Sequence, residues 1–155
     1  MSNFGAILQN TPLWAAVIGW AAAQGIKIIL TLITEKRFDA SRIMGTGGMP
    51  SSHSAAVCAL AFSLARTVGV GDPLFAVCVV LAGVVMYDAT GVRQEAGKHA
   101  KMLNQMVSDL FSGNSDYAQN ALKELIGHTP LQVVMGAILG TVIGLFFPSL
   151  APLVA

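Results

Sequence analysis

Four apolar runs dominate the sequence and leave it few ways to fold: residues 13–33, 55–70, 74–87 and 131–147. None alternates polar with apolar residues as a half-buried strand would, so all four read as helices. At ~1.5 Å per residue the first run spans about 30 Å, the thickness of a bilayer's hydrocarbon core. The second and third are shorter, which points to local thinning or to segments that dip into the protein. Apolar residues make up 54% of the 155-residue chain and charged residues only 11%. That composition suits a membrane protein and falls well below the charge of an ordinary soluble domain. The expected fold is all-α: one membrane domain over residues 1–155, a bundle of about four transmembrane helices plus amphipathic interfacial helices. A net charge of +1 gives no basic excess for nucleic acid. Cys58 and Cys78 lie inside apolar runs and read as buried small hydrophobes, with no disulfide framework and no metal-ligand spacing. No Lys or Arg occurs in the first twelve residues, which argues against a cleaved signal peptide; residues 1–12 read as a short polar lead.

The connecting segments carry the chemistry. Gly47, Gly48, Met49, Pro50, Ser51, Ser52, His53 and Ser54 form a loop, a cap and a helix start in sequence. Free N–H groups of a first helical turn bind anions, and His53 stands beside them as a group able to move a proton near neutral pH. In the first run Gln24, Lys27, Thr31 and Thr34 share one helix face, with Lys27 roughly 9 Å inside the span's end. A lysine at that depth is expensive, so it is expected to face the bundle interior with a function; the plainer reading is a side chain snorkelling to the headgroups. Asp88, Gly91 and Arg93 close the third run. An amphipathic helix follows, with Ala96, Ala100, Leu103, Val107 and Leu110 along one side. After Gly113 comes a second, shorter helix with Ala118, Ala121, Leu122, Leu125 and Ile126 on its apolar side. His128, Thr129 and Pro130 open the last run. Along it Gly136, Gly140 and Gly144 form a stripe that lets a second helix approach closely. Its partner is another span or, as a homo-oligomer, a second copy of the chain; the internal partner is favoured.

Orientation follows from the basic residues. All except Lys27 and Arg66 fall after the first run (Lys36, Arg37, Arg42) or after the third (Arg93, Lys98, Lys101, Lys123). With four spans both groups lie on one side, expected to be the cytoplasmic face of the inner cell membrane, with both termini outside. His53, Asp88, Arg93, His99 and His128 then share that face, with Lys27 just beneath it. Lys27, Arg93 and Arg42 suit a clamp on phosphate oxygens. Gly48, Ser51 and Ser52 line the anion end of the helix, and the histidines supply a nucleophile and an acid. Asp88, near a helix C-terminus, calls for a partner such as Arg93, Lys27 or a histidine ring. His99 reads equally well as an interfacial surface residue.

The stretch from Gly47 to Ala55, followed by Tyr87 to Arg93 and by Gly127 to Pro130, closely resembles the divergent branch of the phosphatidic acid phosphatase type 2 superfamily. That superfamily also holds acid phosphatases and vanadium haloperoxidases. The resemblance implies a helical membrane protein that transfers phosphoryl groups through histidine, with no required metal or other cofactor. Pro50, Ser51, Ser52 and His53 match the superfamily's Pro-Ser-Gly-His, whose histidine is the general acid. Arg93 and His99 match part of its Ser-Arg-x5-His-x3-Asp motif, but Val92 stands in place of the serine and Leu103 in place of the aspartate. Those departures raise His128 as an alternative nucleophile to His99. The substrate implied is a phospholipid or isoprenoid-lipid phosphate or pyrophosphate. The alternative is a non-catalytic binder or transporter of a phosphorylated lipid.

Overall fold

The computed structural model describes residues 3–35, 48–110 and 127–150. Arg42 and the helix expected around residues 118–126 lie outside the described residues. Within them the fold is all-helical: α1 (Asn3–Leu8), α2 (Thr11–Glu35), α3 (Ser52–Thr67), α4 (Pro73–Thr90), α5 (Val92–Leu110) and α6 (Pro130–Phe146). The lead before the first run therefore contains a short helix. Asn10 ends its turn and starts the next helix, its Oδ1 accepting from the Leu13 N–H at 3.0 Å. Each later start has its own local cause. Ser51 caps α3. Asp72 caps α4, accepting from the Leu74 N–H at 2.8 Å, with Pro73 at the first helical position. Thr129 and Gln132 form a reciprocal capping box on α6. Gly69, at φ +97°, makes the turn between α3 and α4.

α3 is the hub, packed against α2, α4 and α6. The interior it shares with them is built from small residues: Ala15 and Ala23 of α2, Ala55, Ala59 and Ala61 of α3, Ala82 of α4. Cys58 and Cys78 are both free and buried there. The glycine stripe of α6 is what permits the tight seam. A Cβ on Gly136, Gly140 or Gly144 would collide with the backbone carbonyls of Ser51, Ala55 and Ala59 respectively. This settles the stripe's partner. Within one chain α3 packs along it, as the favoured internal-partner reading expects.

Large apolar side chains lie outside. Leu13, Val17, Ile29 and Ile33 of α2, Val77, Val80 and Val84 of α4, and Leu131, Ile138 and Val142 of α6 are all exposed. A small-residue interior inside a coat of Leu, Ile and Val inverts the arrangement water requires and suits packing in lipid. Two stretches, residues 11–34 and residues 73–110 (α4 running on into α5), are long and apolar enough to cross a membrane. α3 and α6, at 16 and 17 residues, are shorter.

Candidate phosphate site at one end of the bundle

Three hydrogen bonds draw one end of the bundle together. The Ser51 N–H donates to the Gln132 carbonyl at 2.9 Å, joining the start of α3 to α6. The His128 N–H donates to the Ala89 carbonyl at 3.1 Å, joining the approach to α6 to the end of α4. The Lys27 ammonium reaches the Ser52 hydroxyl at 3.4 Å, joining α2 to α3. Gly127 presses so closely on Arg93 and Gln94 that a Cβ would overlap their backbone. Four segments distant in sequence thus meet around the first turn of α3.

Lys27 is buried, 6% exposed, so the snorkelling alternative does not hold. Its stem lies against Gly48, which takes φ +82° and leaves room for it. Among the described residues the long contact to Ser52 is the ammonium's one polar partner. A buried ammonium so weakly matched leaves most of its charge for another acceptor. Ser51 is fully buried with its Oγ already engaged. It accepts from the Ser54 N–H at 3.4 Å and from the Ser54 hydroxyl at 3.0 Å, so its side chain holds the helix start in shape. The N–H groups of Ser52 and His53 have no acceptor among the described residues, as expected at the open end of a helix.

Asp88 and Arg93 pair across the α4–α5 junction, Nε to Oδ2 at 2.7 Å. The partner Asp88 requires is therefore Arg93. Both side chains remain substantially exposed. The bond uses Nε, and the terminal guanidinium nitrogens have no further partner among the described residues.

His53 is exposed at the surface, just ahead of the apolar part of α3. Partial burial of its ring holds its pKa below the ordinary 6.5. The charges of Arg93 and Lys27 push the same way, and Asp88 opposes them. His128 is buried, 6% exposed. Burial is again the main cause that lowers its pKa. A hydrogen bond to Gln132 opposes this, and the charges of Lys27, His53 and Arg93 add to the lowering. These mutual influences place Lys27, His53, Arg93 and His128 in one electrostatic neighbourhood, with both rings neutral at pH 7.

His99 is not brought into this group. It is exposed on α5, beyond the surface pair of Lys98 and Glu95, whose Nζ and Oε1 are 2.6 Å apart. Its charge is felt at Glu95. Arg42 lies outside the described residues. Among those residues no three His, Cys, Asp or Glu side chains gather as metal ligands. Gln132 is the site residue that motif reading passed over. Its side-chain oxygen lies 3.1 Å from His128 Nδ1 and also accepts the Thr129 N–H at 3.1 Å. The signal was present as Thr129 followed three residues later by a glutamine, a capping-box pattern.

Comparison with known proteins gives a consistent result. A family model described as the divergent PAP2 family matches residues 8–143. Among curated proteins, the chain is 39% identical over 149 residues to the uncharacterized membrane protein YuiD of Bacillus subtilis (strain 168), covering 90% of this chain and 94% of that one. No solved structure matches.

Proposed function

Because this chain belongs to the divergent PAP2 family, we propose that it is a membrane-embedded phosphatase acting on a lipid phosphate or pyrophosphate at the end of the bundle where Lys27, His53, Arg93 and His128 meet. The observation that carries the reading is this convergence of two cations and two histidines, from four segments, on an open helix start. A lipid substrate suits it because an apolar coat surrounds the helices that lead to the site.

We read α2, α3, α4 and α6 as four passes through the inner cell membrane. Contacts at both ends support this: Lys27 with Ser52 at one, Leu150 with Thr11 and Arg66 with Phe147 at the other. α3 and α6 reach only about 25 Å at ~1.5 Å per residue, and a locally thinned bilayer accommodates that. The basic residues assign the site end to the cytoplasm and both termini to the outside.

In the proposed reaction Lys27, Arg93 and the N–H groups of Ser52 and His53 hold the non-bridging oxygens of the phosphoryl group. Arg42, outside the described residues, is a further cation proposed for the same oxygens. The Nε2 lone pair of His128 forms a bond to phosphorus as the bond from phosphorus to the leaving oxygen breaks. His53, as imidazolium, gives its proton to that oxygen and becomes neutral. Water then attacks phosphorus and passes a proton to His53. The N–P bond breaks, its electron pair returns to His128, and inorganic phosphate leaves. His53 is neutral in the empty site, and a bound dianion offsets the cations that lower its pKa. Substrate thus loads the acid. Asp88 acts by orienting Arg93. His128 is preferred to His99 as nucleophile because its ring lies within the field of the two cations and His53.

One observation favours a second reading, a non-catalytic binder or carrier of phosphorylated lipid: the group behind His128 is an amide rather than a carboxylate. Phosphate release from short-chain lipid phosphates and pyrophosphates by purified protein separates the two. Turnover that disappears in His53→Ala and His128→Ala supports the phosphatase. Binding without turnover, lost in Lys27→Ala, supports the carrier. Turnover unaffected by either histidine substitution removes this site.

A further inference from the structure

The hydrogen bonds around Gln132 carry more than a helix cap. Its Oε1 accepts the Thr129 N–H, and a backbone amide has no lone pair to offer, so the atom at that position is the side-chain oxygen. The same oxygen lies 3.1 Å from His128 Nδ1. An amide oxygen only accepts, so Nδ1 must carry the proton. In a neutral imidazole the proton on Nδ1 leaves the lone pair on Nε2. The rest of the surroundings fix the ring's place. The His128 N–H is tied to the Ala89 carbonyl, Gly127 is wedged on the backbone of Arg93 and Gln94, and the side chain is buried. Gln132 itself is fixed twice, its own N–H reaching Thr129 Oγ1 at 3.4 Å and its carbonyl accepting from Ser51.

We propose that Gln132 is a positioning residue, whose side-chain oxygen selects the Nδ1–H tautomer of His128 and so presents Nε2 as the nucleophilic nitrogen; this rests on the phosphatase reading above. It reaches the ring from the first turn of α6, four residues further along the chain. An amide differs from a carboxylate in one chemical respect. It fixes the tautomer without adding negative charge, so it draws the ring toward imidazolium less than a carboxylate would.

The test uses full-length protein in detergent or nanodiscs with 15N-labelled histidine, the His128 signals being assigned by their loss in His128→Ala. The expected result is a protonated Nδ1 and a bare Nε2 at pH 8. In Gln132→Leu the preference is lost and Nε2–H appears. In Gln132→Glu, which keeps an acceptor for both Thr129 and His128, the Nδ1–H form persists and the ring's titration midpoint rises. Lipid-phosphate turnover falls at least tenfold in Gln132→Leu. It returns in part in Gln132→Glu, with the limb of the pH profile that reports His128 moved upward. An Nε2–H tautomer in the wild type, or a tautomer unchanged by Gln132→Leu in protein whose helix content is intact, overturns the proposal. Absence of turnover with the tautomer as described leaves the role of Gln132 in orienting the ring and counts against the phosphatase reading alone.

Discussion

The two ends of the bundle use polar residues differently. At the end opposite the proposed site, polar contacts among the described residues close helices or tie one segment to another. The Arg66 guanidinium donates to the carbonyl of Phe147, just past α6, the Leu150 N–H donates to Thr11 Oγ1 at 2.8 Å, and Asp72 caps α4. Asp72 and Arg66 satisfy backbone groups that helix ends leave open, and the Leu150 bond ties the segment after α6 to the start of α2. The site end has its caps too, in Ser51 and Thr129. It then carries side chains that cap nothing: Lys27, whose one polar partner among the described residues is the Ser52 hydroxyl, and two histidines whose pKa values are lowered by burial and by neighbouring cations. Polar groups beyond what the helix ends require are the basis on which this end is proposed as the functional one.

The seam common to both ends gives the largest expected effect. Gly140 sits midway along the contact of α6 with α3, against the Ala55 carbonyl. A backbone neighbour cannot yield as a side chain can. Gly140→Leu should therefore separate the helices and abolish recovery of folded, monodisperse protein, and Gly140→Ala should cost on the order of 1–3 kcal/mol. Size-exclusion profiles and thermal melts in detergent read both. A well-behaved Gly140→Leu protein would mean the seam is not what holds the ends in register.

Next come the charges themselves. His53→Ala and His128→Ala should each lower turnover by roughly 10²–10⁴-fold with little change in melting temperature. His99→Ala should keep most of the rate; the reverse pattern would move the nucleophile to α5. Lys27→Met should weaken phosphate binding about tenfold or more while leaving the melt unchanged or raised, because it removes a buried charge with little compensation.

A subtler prediction concerns pH. Both site histidines lie below the ordinary 6.5 in the empty protein. A bound phosphate dianion stabilises their charged forms and raises both values. Binding must then take up protons, and affinity should climb as pH falls from 8 toward 6. Calorimetry in two buffers of different ionisation heat measures that uptake. Proton release on binding would contradict the site electrostatics. Arg66→Ala should have the smallest effect: a melt lowered by a few degrees, about 1 kcal/mol, with turnover unchanged. A loss of turnover there would erase the distinction between the two ends.

Much of this was readable from residue order, and what was missed had a common cause. The helix starts at Ser51, Asp72 and Thr129, the depth of Lys27 and the glycine stripe are local patterns with local causes. Gln132 was passed over because nothing in the order of residues tells which ring nitrogen its side chain faces. Ser51 read as a ligand because its motif says so, whereas the short distance to the Ser54 hydroxyl turns its oxygen inward.

By itself the sequence determined that the chain is helical, that it belongs in lipid, and which segments carry charge, because periodicity, composition and capping act over a few residues. The tertiary structure decided which charges meet. It set Lys27 beside Ser52, tied Asp88 to Arg93, brought His128 within the field of both cations and left His99 on the surface. The physical reason is rotation about helix axes. Each step along a helix turns a side chain by about 100°, and only close packing against α3 fixes which side of each neighbour faces the shared end.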